Sequence, residues 1–320
     1  ELVEEVMQQL AEDFQYGVMQ STHRYKYLIN RLTRVSKKAI WTLVEHIKSG
    51  EFVTYGHEVA FGEGYGVPAI AIELEDGEVI YIEGRIDRVD ILREEKDNYL
   101  KIIDYKSGNK KFNLSDVYYG FQLQLMVYLE AAMALKDKFK ENNNHPAGVF
   151  YFKIHDPMIK TSHKAIELIE KEINKELKMR GLVVKDLRII KAIDKGIDKN
   201  SDIIPVAINK DESIGKRSSV ATEEDFQRLI DHIKNLIKEI GKEMLKGNAT
   251  IEPCKRGKQI SCQYCDYLGI CQFDSVFEDN KYKVIKELKP EEVLERIRKE
   301  GVRNEELDEG SKGGNRGTKQ

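Results

Sequence analysis

The sequence has no excess of positive charge, no long apolar run and few cysteines. Its 320 residues include 52 lysines and arginines against 55 aspartates and glutamates, which gives a formal net charge of −3. Dedicated nucleic-acid-binding proteins usually carry a basic excess. Any contact with nucleic acid must therefore come from a local basic patch, or a partner must supply the rest.

No apolar run approaches the roughly 18 residues that a membrane-spanning helix needs. The acidic, amphipathic opening ELVEEVMQQL is unlike a secretory signal. These two absences predict a cytoplasmic protein without a membrane partner. The chain also opens without methionine, which suggests an excised domain of a longer protein.

The cysteines are confined to one short stretch of the chain, as Cys254, Cys262, Cys265 and Cys271. Dispersed cysteines would fit a disulfide framework, whereas this clustering favours a metal site. Four thiolates can hold a tetrahedral Zn²⁺ or an iron–sulfur cluster. The spacing alone does not choose between these two, and free thiols are a third alternative.

Hydrophobic residues make up 41% of the chain, enough for a sizeable core in one large domain or two ordinary ones. Helical periodicity at the start gives way to strand composition, which indicates an α/β protein. The pattern predicts strands over 51–62, 69–75, 78–92, 98–106 and Ala147–His155. It predicts helices over 1–48, Ser115–Asp137, 161–180, Thr222–Leu245 and Glu291–Lys299, and a disordered tail from Gly310.

Two carboxylates and a lysine follow neighbouring predicted strands. Asp87 follows the run VIYIEGRI, and Asp104 follows LKII. Two neighbouring strands could bring these carboxylates together, and with one backbone carbonyl they form a partial shell for Mg²⁺. Lys106, two residues after Asp104, would share its face of the strand. Such a set suits metal-assisted hydrolysis of a phosphodiester, although a lone D-x-K is more often a solvated turn with an ion pair.

The predicted helix after this segment carries two polar groups on an otherwise apolar surface. Gln124 and Tyr128, in YYGFQLQLMVYL, are four residues apart and therefore share a face. Buried amides and hydroxyls need hydrogen-bond partners. These two either bond within the core, which the spacing alone favours, or line the site and hold a DNA phosphate or strand.

Taken in order, GRIDRVD, IIDYKSG and YYGFQLQLMVYL resemble the RecB-type branch of the PD-(D/E)XK nuclease superfamily. The closer resemblance is to C-terminal nuclease domains of the AddB family. It runs from about Gln20 to Leu288 and includes QSTHRYKYLINRL, PAGVFYFKIHDP, MRGLVVKD and CQYCDYLGICQFD.

The resemblance implies a restriction-endonuclease-like core, in which helices flank a central mixed sheet. A helical insertion and a C-terminal cysteine-cluster segment complete the expected fold. The implied regions are N-terminal helices at 1–50 that pack on the core, a nuclease domain at 51–288 with the cysteine cluster at 254–271, and a short helix with a disordered tail at 289–320.

The resemblance also implies a role for each site residue. Asp87 and Asp104 would bind Mg²⁺ or Mn²⁺ together with the carbonyl of Tyr105, and Lys106 would be the catalytic lysine. Gln124 and Tyr128 match the Q-x-x-x-Y motif that follows the site.

Glu58 and His23 are two further candidates for the metal shell. Glu58 occupies an acidic position that is more often structural than ligating. RecB-type nucleases usually add a histidine from an upstream helix to the metal shell. His23 is the nearest candidate, but it falls in a segment that does not match that motif, and a surface histidine is the plainer interpretation.

For the cysteines, the resemblance implies a [4Fe–4S] cluster that pins the end of the domain to its start. Cys262, Cys265 and Cys271 carry over from the family pattern. The family's fourth ligand is a distant upstream cysteine that this chain does not contain. Cys254 could replace it, the cluster could be incomplete, or the thiols could be free.

The implied function is a metal-dependent exonuclease that cuts single-stranded DNA, on the 5′-ended strand, during double-strand break processing. Its partner would be an AddA-like helicase subunit in a bacterial cytoplasm. One alternative is a non-catalytic DNA-binding or scaffold domain with an incomplete site. Another is a stand-alone CRISPR-type exonuclease, although those proteins are shorter and lack the insertion at about 160–245.

Overall fold

The structure is a computed structural model that describes residues 1–74, 77–108, 110–135, 143–159 and 165–313. Its helices are α1 (Leu2–Asp13), α2 (His23–Lys48), α3 (Leu114–Tyr118), α4 (Gln124–Met133), α5 (Ile166–Glu176), α6 (Leu187–Ile193), α7 (Glu223–Leu245), α8 (Leu268–Cys271) and α9 (Pro290–Gly313). Short 3₁₀ helices cover Phe14–Gln20 and Ser261–Tyr264. None of the helices in the described ranges combines the length and apolar character that crossing a membrane requires.

The strands are β1 (Val53–Phe61), β2 (Ile70–Glu73), β3 (Val79–Ile82), β4 (Gly84–Arg93), β5 (Asp97–Lys106), β6 (Asn143–Lys153), β7 (Arg180–Val184), β8 (Val220–Ala221), β9 (Cys254–Arg256), β10 (Gln259–Ile260) and β11 (Lys283–Val284). Among the described residues, six of them form the main sheet in the order β1-β4-β5-β6-β7-β8. β5 runs parallel to β6 and β7 runs parallel to β8, whereas the other neighbours are antiparallel. Helices pack against this mixed sheet, which confirms the predicted α/β class.

The centre of the sheet is buried on both faces. Ile102 and Ile103 are adjacent on β5 and are both buried, and so are Phe150 and Phe152 on β6. Parallel strands covered by helices on both sides carry continuous apolar runs rather than alternating ones. The carboxyl ends of β5 and β6 therefore emerge from a rigid, apolar core.

Helix α7 begins and ends as the sequence predicts. The Thr222 hydroxyl accepts the backbone N–H of Asp225, and the Asp225 carboxylate accepts the backbone N–H of Thr222, each at 3.1 Å. This reciprocal pairing satisfies two N–H groups that a helix start leaves free. The helix ends at Leu245, as expected.

The single helix predicted over Ser115–Asp137 is wrong, because the chain breaks it into α3 and α4. Gly120 has φ +84°, a left-handed conformation that favours glycine. The backbone N–H of Phe121 then bonds the carbonyl of Asp116 at 2.7 Å, which closes the end of α3. The helix therefore restarts at Gln124, and residues 136 and 137 of the predicted region lie outside the described residues.

Three other predicted boundaries change. The strand predicted over 78–92 is two strands, because β3 pairs with β2 whereas β4 pairs with β1. The helix predicted over 161–180 is shorter, because Arg180 already begins β7, and residues 160–164 lie outside the described residues. The helix predicted over Glu291–Lys299 continues to Gly313, so the first residues of the tail predicted to be disordered, from Gly310, are helical. The rest of the predicted tail, 314–320, is also outside the described residues.

The chain forms two compact units. The first comprises Glu1–Ala69, Glu83–Phe112 and Gln124–Phe226, and it contains the main sheet. The second comprises Ile70–Ile82, Asn113–Leu123 and Gln227–Gln320, and it contains two small sheets, β2-β3 and β10-β9-β11. The regions expected from the sequence, with limits at 50 and 288, stay a prediction.

Candidate active site

The hairpin of β4 and β5 brings Asp87 and Asp104 together. The strands are antiparallel, and Arg88 lies opposite Ile103. One step further along the same register places Asp87 opposite Asp104, and directly opposite residues share one face of a sheet. The backbone N–H of Tyr105 donates to Oδ2 of Asp87 at 2.8 Å, which fixes this carboxylate beside β5.

Asp104 is a fully buried carboxylate without ordinary hydrogen bonds. Neither oxygen has a partner of hydrogen-bonding geometry among the described residues, although Nζ of Lys106 lies 2.6 Å from Oδ2. Burial raises the pKa of Asp104, Lys106 opposes this shift, and the charge of Asp87 adds to it. A buried carboxylate next to a second one is unstable on its own and is stabilised by a cation.

A chain of hydrogen bonds runs from Lys106 into α4. Nζ of Lys106 donates to Oε1 of Gln124 at 2.8 Å, and Nε2 of Gln124 donates to the Tyr128 hydroxyl, also at 2.8 Å. Gln124 and Tyr128 therefore face the site rather than bonding elsewhere in the core. The Tyr128 ring packs edge-on against Phe61, with centroids 6.2 Å apart, which holds this end of the chain in place.

Glu58 is the third acidic residue near the site. It has φ +51°, and it lies on β1 between His57 and Val59. Burial raises the pKa of Tyr128, and the negative charges of both aspartates and of Glu58 raise it further. The Glu58 side chain is 64% exposed and lies 3.7 Å from Arg85, so its carboxylate is solvated and paired. A role as a metal ligand is untested.

The structure adds Tyr151, which the sequence analysis did not single out. Tyr151 lies opposite Asp104 in the parallel pair of β5 and β6. Its side chain is buried, and its hydroxyl has no hydrogen-bond partner among the described residues. Burial raises its pKa, and the Asp104 and Tyr128 groups add to the shift. A tyrosine inside an apolar strand is the signal that could have drawn attention to it, since a buried hydroxyl usually finds a partner.

Lys110 is the second addition. Its ammonium lies 5.7 Å from the centroid of the Tyr151 ring, and that of Lys106 lies 5.5 Å from the same centroid. Burial lowers the pKa of Lys110, the charge of Lys106 lowers it further, and Asp104 opposes the shift. The site therefore contains two ammonium groups, of which only Lys106 was predicted.

His23 and Tyr105 are the two other residues that the sequence suggested as metal ligands. His23 is the exposed first residue of α2, and no contact with the carboxylates is seen in the described ranges. Tyr105 follows Asp104, so its side chain points to the opposite face, where its ring packs edge-on against Phe152 at 6.3 Å. Its carbonyl as a metal ligand stays a prediction.

The carboxylate pair fits a hard divalent cation. Asp104 has buried oxygens free of hydrogen bonds, and Asp87 lies across the hairpin from it. In the part of the chain that the structure describes, no three histidine, cysteine or acidic side chains form a group that could hold a metal ion. The protein can thus offer two carboxylates, with the predicted carbonyl of Tyr105. Mg²⁺ suits such a partial shell because it keeps several of its waters.

The cysteines do not form such a site in this structure. Cys254 lies at the start of β9, Cys262 in the second 3₁₀ helix, Cys265 after it and Cys271 at the end of α8, and all are free thiols. They belong to no metal-binding group in the described ranges. The side chains therefore do not fit an iron–sulfur cluster or Zn²⁺ as they are placed, and the [4Fe–4S] prediction is not confirmed.

Comparison with known proteins identifies the family of this chain. Residues 1–272 match the PD-(D/E)XK nuclease superfamily. A protein named as a subunit of an ATP-dependent helicase/deoxyribonuclease, from Alkaliphilus metalliredigens, is 60% identical over 301 residues, which are 94% of this chain and 26% of that protein. Proteins of the same name are 59% identical in Alkaliphilus oremlandii, over 93% of this chain and 26% of theirs, and 47% identical in Thermoanaerobacter sp. (strain X514), over 94% and 26%.

This chain spans about a quarter of the length of these relatives. The superfamily match covers most of the chain. It also includes the strands that carry Asp87, Asp104 and Lys106. The chain belongs to the PD-(D/E)XK nuclease superfamily.

Proposed function

We propose that this chain is a metal-dependent deoxyribonuclease domain that hydrolyses phosphodiester bonds. The observation that carries the proposal is the buried Asp104 carboxylate, which has no ordinary hydrogen bond and lies between Asp87 and the Lys106 ammonium. Lys106 alone does not balance the two carboxylates, and a purely structural role would pair both of them, because buried charge that is not fully paired is costly.

Asp87 and Asp104 would hold a Mg²⁺ or Mn²⁺ ion, with the carbonyl of Tyr105 as a further ligand. When bound, such an ion polarises the scissile phosphate and lowers the pKa of a bound water. In the hydrolysis, a water oxygen bonds to phosphorus, one phosphorus–ester oxygen bond breaks, and the leaving oxygen takes up a proton. The protein's own groups orient the phosphate and balance its charge.

Lys106 supplies positive charge where the phosphate becomes more negative. An ammonium group has three donors. One faces Asp104 at 2.6 Å and a second bonds Gln124 at 2.8 Å, so one donor is available to a phosphate oxygen. Gln124 is itself held by Tyr128. These hydrogen bonds hold the Lys106 ammonium in place before the substrate binds. Such electrostatic preorganisation is usually the largest single contribution to an enzyme's rate enhancement.

The finer parts of the proposal concern substrate and partner. They are a preference for single-stranded DNA, exonucleolytic cutting of the 5′-ended strand, and action with an AddA-like helicase subunit in the bacterial cytoplasm. The names of the relatives, which pair a helicase with a deoxyribonuclease, support a DNA substrate and a helicase partner, and the family resemblance alone supports the other parts. The net charge of −3 also suits a domain to which a partner delivers DNA.

The test uses the purified chain, a single-stranded oligonucleotide and Mg²⁺ or Mn²⁺. We expect cleavage that Asp104→Ala abolishes and that EDTA stops. Asp211→Ala, at an exposed loop aspartate, is the matched control and should cleave normally. Cleavage that survives both Asp104→Ala and EDTA would place the activity elsewhere. Tight DNA binding without cleavage by the unaltered chain would favour the scaffold alternative.

A [4Fe–4S] cluster at Cys262, Cys265 and Cys271, with Cys254 as the fourth ligand, is a separate proposal that only the family resemblance supports. It requires the thiols to move together, since they do not converge here. Iron and sulfide analysis tests it, together with a broad absorption at about 400 nm. A colourless preparation that contains zinc would contradict it.

A further inference from the structure

Tyr151 carries a hydroxyl group that the fold does not use. The side chain is 2% exposed, and the residue follows Phe150 and precedes Phe152 in β6, whose buried side chains point to the other face of the sheet. Its hydroxyl has no hydrogen-bond partner among the described residues. Leaving a buried donor unpaired costs free energy, which a phenylalanine at this position would avoid. The hydroxyl therefore needs an explanation outside the packing of the sheet.

The surroundings of this hydroxyl favour an anion. Lys106 and Lys110 place their ammonium groups 5.5 and 5.7 Å from the centroid of the Tyr151 ring. Lys106 is paired with Asp104 at 2.6 Å, but no carboxylate lies within ion-pair distance of Lys110 in the described part of the chain. The Lys110 ammonium is also partly withdrawn from water. Among the described residues, a hydroxyl without a hydrogen bond thus belongs to the same ring over which an ammonium without an ion-paired carboxylate lies.

We propose that the Tyr151 hydroxyl and the Lys110 ammonium together bind a non-bridging oxygen of a backbone phosphate in the substrate strand. This inference rests on the proposed nuclease function. A phosphate oxygen accepts from both groups and neutralises Lys110, whereas the acceptor atoms of a base or a sugar carry no charge. Because Tyr151 lies opposite Asp104 across β5 and β6, the bound phosphate lies beside the carboxylate pair. The two residues position the strand for attack and take no part in the bond changes.

The experiment compares Tyr151→Phe and Lys110→Gln with two matched controls. Tyr99→Phe removes a hydroxyl on β5 that already bonds Arg188 at 2.8 Å. Lys195→Gln removes an exposed lysine 3.4 Å from Glu51. The affinity for a fluorescent single-stranded oligonucleotide is measured in EDTA, where binding is read without cleavage. Cleavage with Mg²⁺ and the thermal midpoint of unfolding are measured in parallel.

We expect Tyr151→Phe to weaken binding by about 10-fold or more, the effect of a lost hydrogen bond to a charged group. It should raise KM with little change in kcat, because the contact exists before the reaction begins. Lys110→Gln should also weaken binding and should reduce the salt dependence of the affinity by about one phosphate contact. The thermal midpoint of Tyr151→Phe should be unchanged or higher, since no hydrogen bond is lost in the free protein.

Three outcomes would overturn the proposal. The first is unchanged affinity in both variants. The second is a lower thermal midpoint for Tyr151→Phe with unchanged affinity, because the hydroxyl would then serve the fold, for example by bonding Asp104. The third is failure of the unaltered chain to bind the oligonucleotide at all. If binding falls as expected but the unaltered chain never cleaves, the nuclease proposal fails and the phosphate contact stands.

Discussion

Gln124 is the residue through which the position of the catalytic lysine can be tested. Its amide oxygen accepts a hydrogen bond from Lys106 at 2.8 Å, and its amide N–H donates a hydrogen bond to Tyr128 at 2.8 Å. Gln124→Leu keeps the size of the side chain and removes both hydrogen bonds. Among the described residues Lys106 then keeps the Asp104 carboxylate and the Tyr151 ring as its neighbours, and its ammonium is free to follow that carboxylate.

The expected effect is larger on catalysis than on stability. Two partly buried hydrogen bonds contribute about 1–3 kcal/mol to the free energy of unfolding, and leucine recovers part of this by burying apolar surface. A displacement of about 1 Å in a catalytic group can lower the rate by roughly 100-fold, which is about 2.7 kcal/mol in the activation barrier. We therefore expect kcat to fall about 100-fold while the protein stays folded.

A double-mutant cycle with Lys106→Met shows whether Gln124 acts through Lys106. Loss of the ammonium alone should lower kcat by about 100- to 1,000-fold, as for other groups that stabilise transition-state charge. In that background Gln124→Leu should change kcat by less than about threefold, because there is no ammonium left to position. Gln227→Ala, at an exposed glutamine of α7, is the control. Fully additive losses would refute the positioning role.

Three further predictions concern metal binding, pH and the helix break. Mg²⁺ at 100 times its Kd should stabilise the unaltered chain against thermal unfolding by about 2.7 kcal/mol, and Asp104→Asn should abolish this stabilisation. An equal rise of the thermal midpoint with Mg²⁺ in both proteins would contradict the proposed metal site. Burial, with two nearby buried cations, lowers the pKa of His46 to about 4 from 6.5. The folded state therefore keeps His46 neutral, and stability should fall by about 3 kcal/mol as the pH drops from 6.5 to 4. In urea denaturation, His46→Leu should lack this loss and His57→Gln, at an exposed histidine, should keep it; identical slopes in the two variants would be inconsistent with the shift. Gly120→Ala should lower the free energy of unfolding by about 1–3 kcal/mol, because alanine at φ +84° is strained; an unchanged urea midpoint would argue against that backbone conformation.

The parts of the site on β4 and β5 could be predicted because they depend on local rules. Side chains two residues apart share a face of a strand, which places Lys106 beside Asp104. A short turn, closed by a bond from the N–H of Glu94 to the carbonyl of Asp97 at 2.8 Å, makes β4 and β5 neighbours. Antiparallel pairing across such a turn then brings Asp87 to Asp104.

Tyr151 could not be placed in the same way, because its pairing is not local. β5 and β6 are parallel, so a crossover connection through α3 and α4 must join them. The register of that pair, with Asp104 opposite Tyr151, is set by packing on both faces and by no turn. The run AGVFYF is apolar on both faces, so its sequence does not determine which of its residues lies opposite Asp104. The break at Gly120 was missed for a related reason, since the apolar pattern continues through it without interruption.

The opposite face of the same sheet shows that this fold can pair its buried charges. Asp90 is fully buried, yet it lies 2.6 Å from Arg88 and 3.0 Å from Lys101, both of which are also buried. On the site face, the Asp104 carboxylate lies 2.6 Å from the Lys106 ammonium but has no hydrogen bond of ordinary geometry, and the Tyr151 hydroxyl has no hydrogen bond, among the described residues. The other buried side-chain atoms without a hydrogen bond in the described ranges belong to His46, Asn174 and the ion-paired Asp116 and Arg256.

Buried polar groups that the protein pairs itself stabilise the fold, whereas buried polar groups that it leaves without a hydrogen bond are available to a ligand. Among the described residues of β4, β5 and β6 themselves, the buried side chains without a hydrogen bond are Asp104 and Tyr151, which lie opposite one another. At this point a carboxylate that suits a cation lies near a hydroxyl and an ammonium that suit an anion. A metal ion and a phosphate oxygen bound side by side satisfy all of these groups at once. The free protein is then less stable because these groups are kept unpaired for the metal ion and the phosphate. Proteins commonly break the rules of hydrogen bonding and packing at functional sites in this way.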